Sequence, residues 1–297
     1  MMSDKMSKEE TTMNRVLVTG AAGKLGRYAM KELAEHGYSI VATDNRPYGE
    51  GRRYGHFVQA DLGQLGEVYG LVAGVDAILH LAAVPNPINY TPERIFSNNI
   101  MSTYHVMEAA SKLGINKVVA GSSESAFGFC WAKTPFAPDY FPVDEQHPLL
   151  PQESYGLSKV VGELIGDMFN RREGMDVLSL RYSMIVAPEE YRHFINRFNE
   201  TANHHRIMWS YIDIRDAAEA SRLALEASDT GSVQLNVTAD DVLSSTPTEE
   251  LLRRHYPQVT DIREQFVGTQ ALVSNRAARQ LLNWEPRYSW KSAVETH

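Results

Sequence analysis

Cysteine is nearly missing from this chain of 297 residues. Cys130 stands alone, which excludes an internal disulfide and a cysteine-built zinc site. Long apolar runs are missing as well. No stretch approaches the roughly 18 apolar residues of a membrane-crossing helix. The opening MMSDKMSKEETTMN is polar, without the apolar centre of a secretion signal. There is no basic block, and the net charge is −8, which argues against nucleic acid or an anionic membrane as partner. Twenty glycines and 13 prolines leave no room for a collagen-like or low-complexity reading. What is there is globular: 43% hydrophobic and 22% charged, enough for a continuous core. Together these lead us to expect a soluble cytoplasmic protein, either roughly two domains or one large α/β unit.

Short apolar runs ending in Gly or Asp alternate with helical patterns. Strands are expected at 15–19, 39–43, 56–60, 76–80, 117–120 and 175–181, and helices at about 92–113 and 153–173. Alternation of this kind implies a parallel sheet with helices on both faces. The expected fold class is α/β, a Rossmann-type doubly wound parallel sheet with a small C-terminal substrate lobe. Residues 1–13 read as a disordered tail. Residues 14–182 read as the dinucleotide-binding domain carrying the catalytic residues. Residues 183–297 read mainly as the lobe, interleaved with the end of the sheet. A helix is expected from Asp213 and a last one near 274–282. The proline-rich stretch 130–152 is too long for an ordinary connector.

Gly20, Gly23 and Gly26 lie between the first strand and the first helix, with Lys24 and Leu25 among them. A pyrophosphate needs such a turn: a backbone it can approach closely, and helix N–H groups aimed at it. Asp44 ends the second strand, 18 residues beyond Gly26, where an acid meets the adenosine ribose hydroxyls and disfavours an extra phosphate. The cations Lys24, Arg27 and Arg46 stand nearby. Asp61-Leu62, after the third strand, suits the adenine edge or a helix cap.

Tyr155 and Lys159 are four apart and share one face of a helix. An ammonium there favours the phenolate, and the spacing predicts a tyrosine pKa below the ordinary value. Such a phenol exchanges protons with a substrate hydroxyl near neutral pH. The pair follows Gly121-Ser122-Ser123-Glu124-Ser125 at the end of the fifth strand, where a serine is placed to hold a substrate oxygen.

With these residues assembled, the sequence resembles the extended short-chain dehydrogenase/reductases, which include NAD-dependent sugar epimerases and dehydratases. The glycine turn, Asp44, Asp61-Leu62, His80-Leu81-Ala82-Ala83, Asn99, the serine strand and Tyr155/Lys159 carry the likeness. So do Tyr211-Ile212-Asp213-Ile214-Arg215-Asp216 and Leu281-Leu282-Asn283-Trp284-Glu285-Pro286. The resemblance implies NAD as cofactor, bound by Gly20, Gly23, Lys24, Leu25, Gly26, Asp44, Asp61, Leu62, Leu81, Ala82, Ala83, Asn99, Tyr155 and Lys159. It implies Ser123 as the catalytic serine, Tyr155 as acid/base, Lys159 as its tuner and Asn99 as the fourth member of a proton relay. It also implies a homodimer built from the helices near 92–113 and 153–173, through Val106, Met107, Ala110, Val161, Leu164, Ile165 and Met168.

The branch is read from the pocket residues. Family dehydratases carry Asp-Glu after the serine; here the pair is Glu124-Ser125, which argues against elimination. Only 31 residues lie between Arg181 and Asp213, short for a nucleotide-sugar lobe. Ala187-Pro188-Glu189-Glu190-Tyr191-Arg192 is similar to the uronate dehydrogenases, in which the arginine clamps the substrate carboxylate. The expectation is an NAD-dependent oxidoreductase acting on a CH–OH group of a small free sugar, sugar acid or polyol, with Glu124, Ser125 and Arg192 toward substrate. An anionic Glu124 sits poorly beside a carboxylate, which leaves a polyol or neutral sugar as reasonable as a uronate. The alternatives are a nucleotide-sugar epimerase and a non-catalytic dinucleotide sensor. His193, His204, His205 and Asp213 have no regular ligand spacing, and no metal is expected. Trp131, Phe136, Tyr140, Phe141 and Trp209 read as packing under the long loop, and Cys130 as inert.

Overall fold

The computed structural model describes residues 14–192 and 204–295, with side chains to residue 292. The expected tail and His193 lie outside the described residues. Seven parallel strands form the main sheet in the order β3-β2-β1-β4-β5-β6-β9. They are β1 Arg15–Thr19, β2 Ser39–Asp44, β3 His56–Gln59, β4 Ala77–His80, β5 Lys117–Ser123, β6 Asp176–Tyr182 and β9 Ser232–Val237. The order reverses between β1 and β4, which opens the crevice where α/β sheets of this kind take ligands.

Side chains alternate across each strand and so feed two cores. Val16 and Val18 of β1 pack with Leu25, Ala29, Met30 and Leu33 of α1 (Lys24–Glu35) and with Ala217, Ala220 and Ala224 of the helix Ile214–Glu226. Leu17, between them, faces the other way. It joins Val68 and Leu71 of α2 (Leu65–Val72), Val106 and Met107 of α3 (Pro92–Lys112), and Ile165 and Phe169 of α4 (Ser154–Glu173). Proline at the first position of α3 suits a helix start, because its missing N–H would have had no partner there. Gly174 ends α4 in the left-handed conformation at φ +71.

Beyond β6 the chain contains more regular structure than the expectation of a late helix at Asp213 and a last one near 274–282. A second parallel pair, β7 Met184–Val186 and β8 Tyr211–Asp213, lies beside the sheet. β9, a strand not expected, pairs with β6 at the sheet edge. Only half of it is fully buried, so its apolar signal is weak. Helices Thr248–His255 and Trp290–Glu295 were also not expected. The first fully buries only Leu251 among its large apolar residues, too few to print a period.

The 130–152 stretch is a strap across a third core. Phe141 bridges to Ile262 and Val143 to Val273. His147 is fully enclosed: Nε2 accepts the Asp139 N–H at 2.9 Å, and Nδ1 lies 3.0 Å from the Pro148 carbonyl, to which it donates. Phe141, Tyr191, Trp209 and Tyr256 fill this core. The aromatic residues expected to pack under the loop do so at Tyr140, Phe141 and Trp209, which are buried.

Candidate active site

The turn between β1 and α1 accepts no side chain at two of its glycines. Gly20 has φ +69, and a Cβ there would lie 2.7 Å from the Ala82 nitrogen. A Cβ on Gly26 would meet the Gly20 carbonyl oxygen at 2.2 Å. The first turn of α1 holds no acid, and Gly23 at its N-cap provides no side-chain acceptor. Its leading N–H groups therefore face outward as donors, the arrangement that an anionic pyrophosphate satisfies. Asp44 is buried at the end of β2. Its Oδ2 accepts the Ala22 N–H at 3.0 Å, and its Oδ1 accepts the Arg46 N–H at 3.0 Å. These residues fit a dinucleotide. Asp61 is exposed, and its Oδ1 accepts the Gly63 N–H at 2.9 Å, closing a turn before α2; Leu62 is buried.

Two of the cations near Asp44 are engaged elsewhere. Lys24 donates to Glu190 and, at 2.7 Å, to the Ile185 carbonyl. Arg27 lies over the Tyr48 ring, 5.0 Å from its centroid. Lys24 thus ties the glycine turn to the segment carrying Arg192 rather than standing clear beside a phosphate.

A buried chain of hydrogen bonds sets the floor of the site. His80 Nε2 lies 3.1 Å from Thr103 Oγ1, which itself donates to the Asn99 carbonyl at 2.8 Å. Thr103 must then accept from His80, so Nε2 carries the proton and Nδ1 accepts from Thr19 Oγ1 at 2.8 Å. Thr19 in turn accepts the Ala82 N–H at 3.2 Å. Burial pushes the His80 pKa down to about 3, in agreement with a neutral ring. Asn99 grips Val84 from both sides, accepting its N–H at 2.8 Å and donating to its carbonyl at 3.1 Å. Its amide also donates to Ser158 Oγ at 3.1 Å. The Asn99 side chain thus holds the loop after β4, where Leu81, Ala82 and Ala83 stand.

Ser123 ends β5, and Tyr155 and Lys159 start α4, whose N-cap Glu153 accepts the Gly156 N–H at 2.6 Å. Ser123 stands near enough to the Tyr155 hydroxyl to favour its ionised form, so the fold brings these two together. The Lys159 ammonium donates to the Gly121 carbonyl at 2.6 Å and lies 5.6 Å from the Tyr155 ring centroid. The depressed tyrosine pKa expected from the spacing is not found. Burial dominates and pushes Tyr155 up to about 12, and burial likewise pushes Lys159 down to about 8. A lysine that sheds part of its charge offers less to the phenolate than spacing alone implies.

Behind Lys159, Glu163 takes the Ser122 hydroxyl at 2.6 Å and two bonds from Arg181, at 2.9 and 2.8 Å. A cavity of about 20 Å³ separates His80, Asn99, Lys159 and Glu163, room for one water molecule. Glu163 was missed by the sequence reading, although its place one helical turn beyond Lys159 was the available signal.

Glu124 is buried, hydrogen-bonded to Ser210, and pushed up to about 8 by burial. Its expected negative charge at neutral pH is therefore corrected: desolvation outweighs the neutral donors around it. Ser125 is buried, and its N–H donates to Ser123 Oγ at 3.1 Å. Cys130 is pushed up to about 12, first by burial, which keeps its thiol protonated. Arg192 is exposed beside Tyr191, whose hydroxyl donates to Asp213 at 3.0 Å. Asp213 is further committed to Arg215, at 2.8 and 2.9 Å. Ser210 could not have been found from sequence: 86 residues separate it from Glu124.

A Rossmann sheet, a glycine turn with outward N–H donors and a Ser–Tyr–Lys cluster at the carboxyl end of β5 define a short-chain dehydrogenase/reductase of the extended type. The chain belongs to the NAD dependent epimerase/dehydratase family, whose profile matches residues 16–238. Its cofactor is NAD. It is 32% identical over 222 residues to an L-arabinose 1-dehydrogenase (NAD(P)(+)) of Haloferax volcanii, covering 73% of this chain and 84% of that protein. It is 33% identical over 184 residues to a uronate dehydrogenase of Pseudomonas putida, covering 61% of this chain and 65% of that one, under two thirds of its length. It is 24% identical over 312 residues to a UDP-glucose 4-epimerase of Corynebacterium glutamicum, covering 93% and 92%. A crystal structure of a short-chain dehydrogenase/reductase superfamily protein of Agrobacterium tumefaciens with bound NAD shares the fold. Its TM-score is 0.73 at 24% identity, with 95% of each chain covered.

Proposed function

We propose that this protein is an NAD-dependent dehydrogenase that oxidises a CH–OH group of a small free sugar, sugar acid or polyol. The observation that carries the reading is the meeting of Ser123, Tyr155 and Lys159 at the end of β5. The shortness of the chain between β6 and β8 supports a small substrate rather than a nucleotide-sugar. The Haloferax volcanii relative, matched over most of its length, supports the same class.

Gly20, Gly23, Gly26 and the leading N–H groups of α1 would hold the pyrophosphate. Asp44 would hold the adenosine ribose, with Asp61 and Leu62 at the adenine edge and Leu81, Ala82 and Ala83 along the crevice. When bound, NAD supplies the hydride acceptor. Ser123 and Tyr155 hydrogen-bond the reacting hydroxyl, and Tyr155 Oη takes its proton. Lys159, held by the Gly121 carbonyl, would offer its remaining N–H groups to the nicotinamide ribose. Asn99 positions α4 through Ser158 and the loop through Val84. Arg192, Glu124 and Ser125 orient the far end of the substrate. The exposed apolar side chains of Met101, Leu157 and Leu164 on α3 and α4 support a homodimer through these helices.

Absorbance of free NADH under turnover, with a panel of free sugars, sugar acids, polyols and nucleotide-sugars, tests this reading. Net NADH from a free sugar supports it. Epimerised nucleotide-sugar without net NADH replaces it with the second reading, which the Corynebacterium glutamicum relative favours.

A further inference from the structure

Five acidic side chains are buried among the described residues: Asp44, Glu124, Glu163, Asp213 and Asp216. Asp44, Glu163 and Asp213 each pair with an arginine, and Asp216 accepts two main-chain N–H groups, from Arg287 and Tyr288. Among the described residues, Glu124 has no arginine or lysine partner. The group that hydrogen-bonds it is neutral, the Ser210 hydroxyl, and the Ser183 hydroxyl and Met184 N–H, which favour its ionised form less than burial opposes it, are neutral too.

The Ser210 contact sets the proton count. Ser210 Oγ is within hydrogen-bond distance of Glu124 Oε2 and also 2.6 Å from the Ile207 carbonyl oxygen. A serine hydroxyl has one hydrogen, and a carbonyl has none to give. If both contacts are hydrogen bonds, Ser210 donates to Ile207 and the carboxyl of Glu124 donates to Ser210. The backbone leading to Ser210 is unusual in the same place. Met208 and Trp209 have φ values of +55 and +50, two successive left-handed residues without a glycine. Such strain persists where the surrounding structure over-determines it, and it collects at functional sites. Here it delivers Ser210 to Glu124.

We propose that Glu124 determines substrate charge: it stands beside Ser123 as a neutral carboxylic acid donating to Ser210, and so leaves the pocket open to a substrate bearing a carboxylate. The inference rests on the dehydrogenase reading for its substrate, but not for the state of Glu124. The surrounding groups are consistent with it. Tyr155 of α4 and Cys130 of the strap are the titratable groups that sense Glu124, and both are held in their neutral forms by burial. Glu153, at the start of α4, and the half-buried Arg206 act on the same Cys130 thiol. Arg206 Nη1 donates to the Ala132 carbonyl at 3.2 Å, which keeps a positive charge on this side of the pocket. Ionisation of Glu124 at alkaline pH places a negative charge one residue from Ser123 and repels an anionic substrate but not a neutral one, while its effect on Tyr155 is common to both.

Two measurements test this on the full-length protein. Infrared difference spectra between wild type and Glu124→Gln at pH 7 report the state of the side chain without any substrate. A protonated-carboxyl C=O band lost in the variant supports the proposal, and loss of only carboxylate bands overturns it. Kinetics with saturating NAD then compare D-glucuronate with D-glucose from pH 6 to 9.5. In wild type, the ratio of their kcat/KM values falls about tenfold or more above the ionisation of Glu124. In Glu124→Gln the ratio stays flat. The same fall in the variant, or no fall in wild type, overturns the specificity role. If neither sugar is oxidised at any pH, the specificity role falls, while the substrate panel still decides the dehydrogenase reading and the infrared result the state of Glu124.

Discussion

Asp44 Oδ2 accepts the main-chain N–H of Ala22 at 3.0 Å, so the acid that ends β2 also fastens the glycine turn that ends β1. Removing this carboxylate does two things at once. On the proposed function it deletes the ribose acceptor, and it loosens the turn that would present N–H groups to the pyrophosphate.

Asp44→Ala is therefore expected to weaken NAD binding by roughly tenfold or more, since a charge-assisted hydrogen bond is worth about 1.5–3 kcal/mol. Wild type should bind NAD more tightly than NADP, with Lys24 held by Glu190 and Arg27 by Tyr48. Fluorescence titration with both dinucleotides checks this. Tighter NADP binding by wild type would reverse the assignment.

Tyr155→Phe removes the proposed proton acceptor while keeping the ring. The expected result is a fall in kcat of about 10²–10⁴-fold with NAD affinity nearly unchanged. Retained turnover would move the base to another group.

Tyr155 is pushed up to about 12 and Lys159 down to about 8. Oxidation needs the phenolate, so kcat/KM for a neutral substrate should rise with pH through the neutral and mildly alkaline range. A pH–rate profile that instead declines from pH 7 to 9 would show that deprotonation of Tyr155 does not limit the step.

His80 is neutral in the fold, with its pKa lowered from 6.5 to about 3 by burial. The unfolded chain takes up this proton first as pH falls. The contribution of His80 to stability is thus complete above pH 6.5 and is lost progressively toward pH 3. Acids raised by burial, such as Asp216 at about 6, act in the opposite sense. The comparison that isolates His80 is denaturant unfolding of wild type and His80→Gln from pH 7.5 to 5. The wild type should lose more stability than the variant; parallel curves would assign His80 no role in it.

Leu157 and Leu164 are 42% and 57% exposed on α4, and Met101 is 43% exposed on α3. The other residues expected at a dimer face divide: Val106, Met107, Ala110 and Ile165 are buried in the core, while Val161 and Met168 are half-buried. A Leu157→Glu/Leu164→Glu variant is expected to be monomeric by light scattering at micromolar concentration, with its circular dichroism unchanged. A wild type that is itself monomeric would remove the dimer.

The local code in this chain was legible because it is short-range. The apolar run Arg15–Thr19, the glycines at 20, 23 and 26, and the four-residue step from Tyr155 to Lys159 each act through neighbours on one strand, turn or helix face. These patterns carried the parallel sheet and the dinucleotide crevice. The irregular half was harder to read for a physical reason. An edge strand such as β9 buries only part of its side chains, and an eight-residue helix such as Thr248–His255 is too short to print a period. What the tertiary structure alone decided is charge. Spacing predicted a tyrosine tuned downward, and the ordinary acidity of a carboxylate an anionic Glu124. Burial raised both pKa values, because the free energy of a charge depends on how much water remains around it. That quantity is set by chain segments far apart in sequence. Ser210 reaches Glu124 across 86 residues, and Lys24 reaches Glu190 across 166.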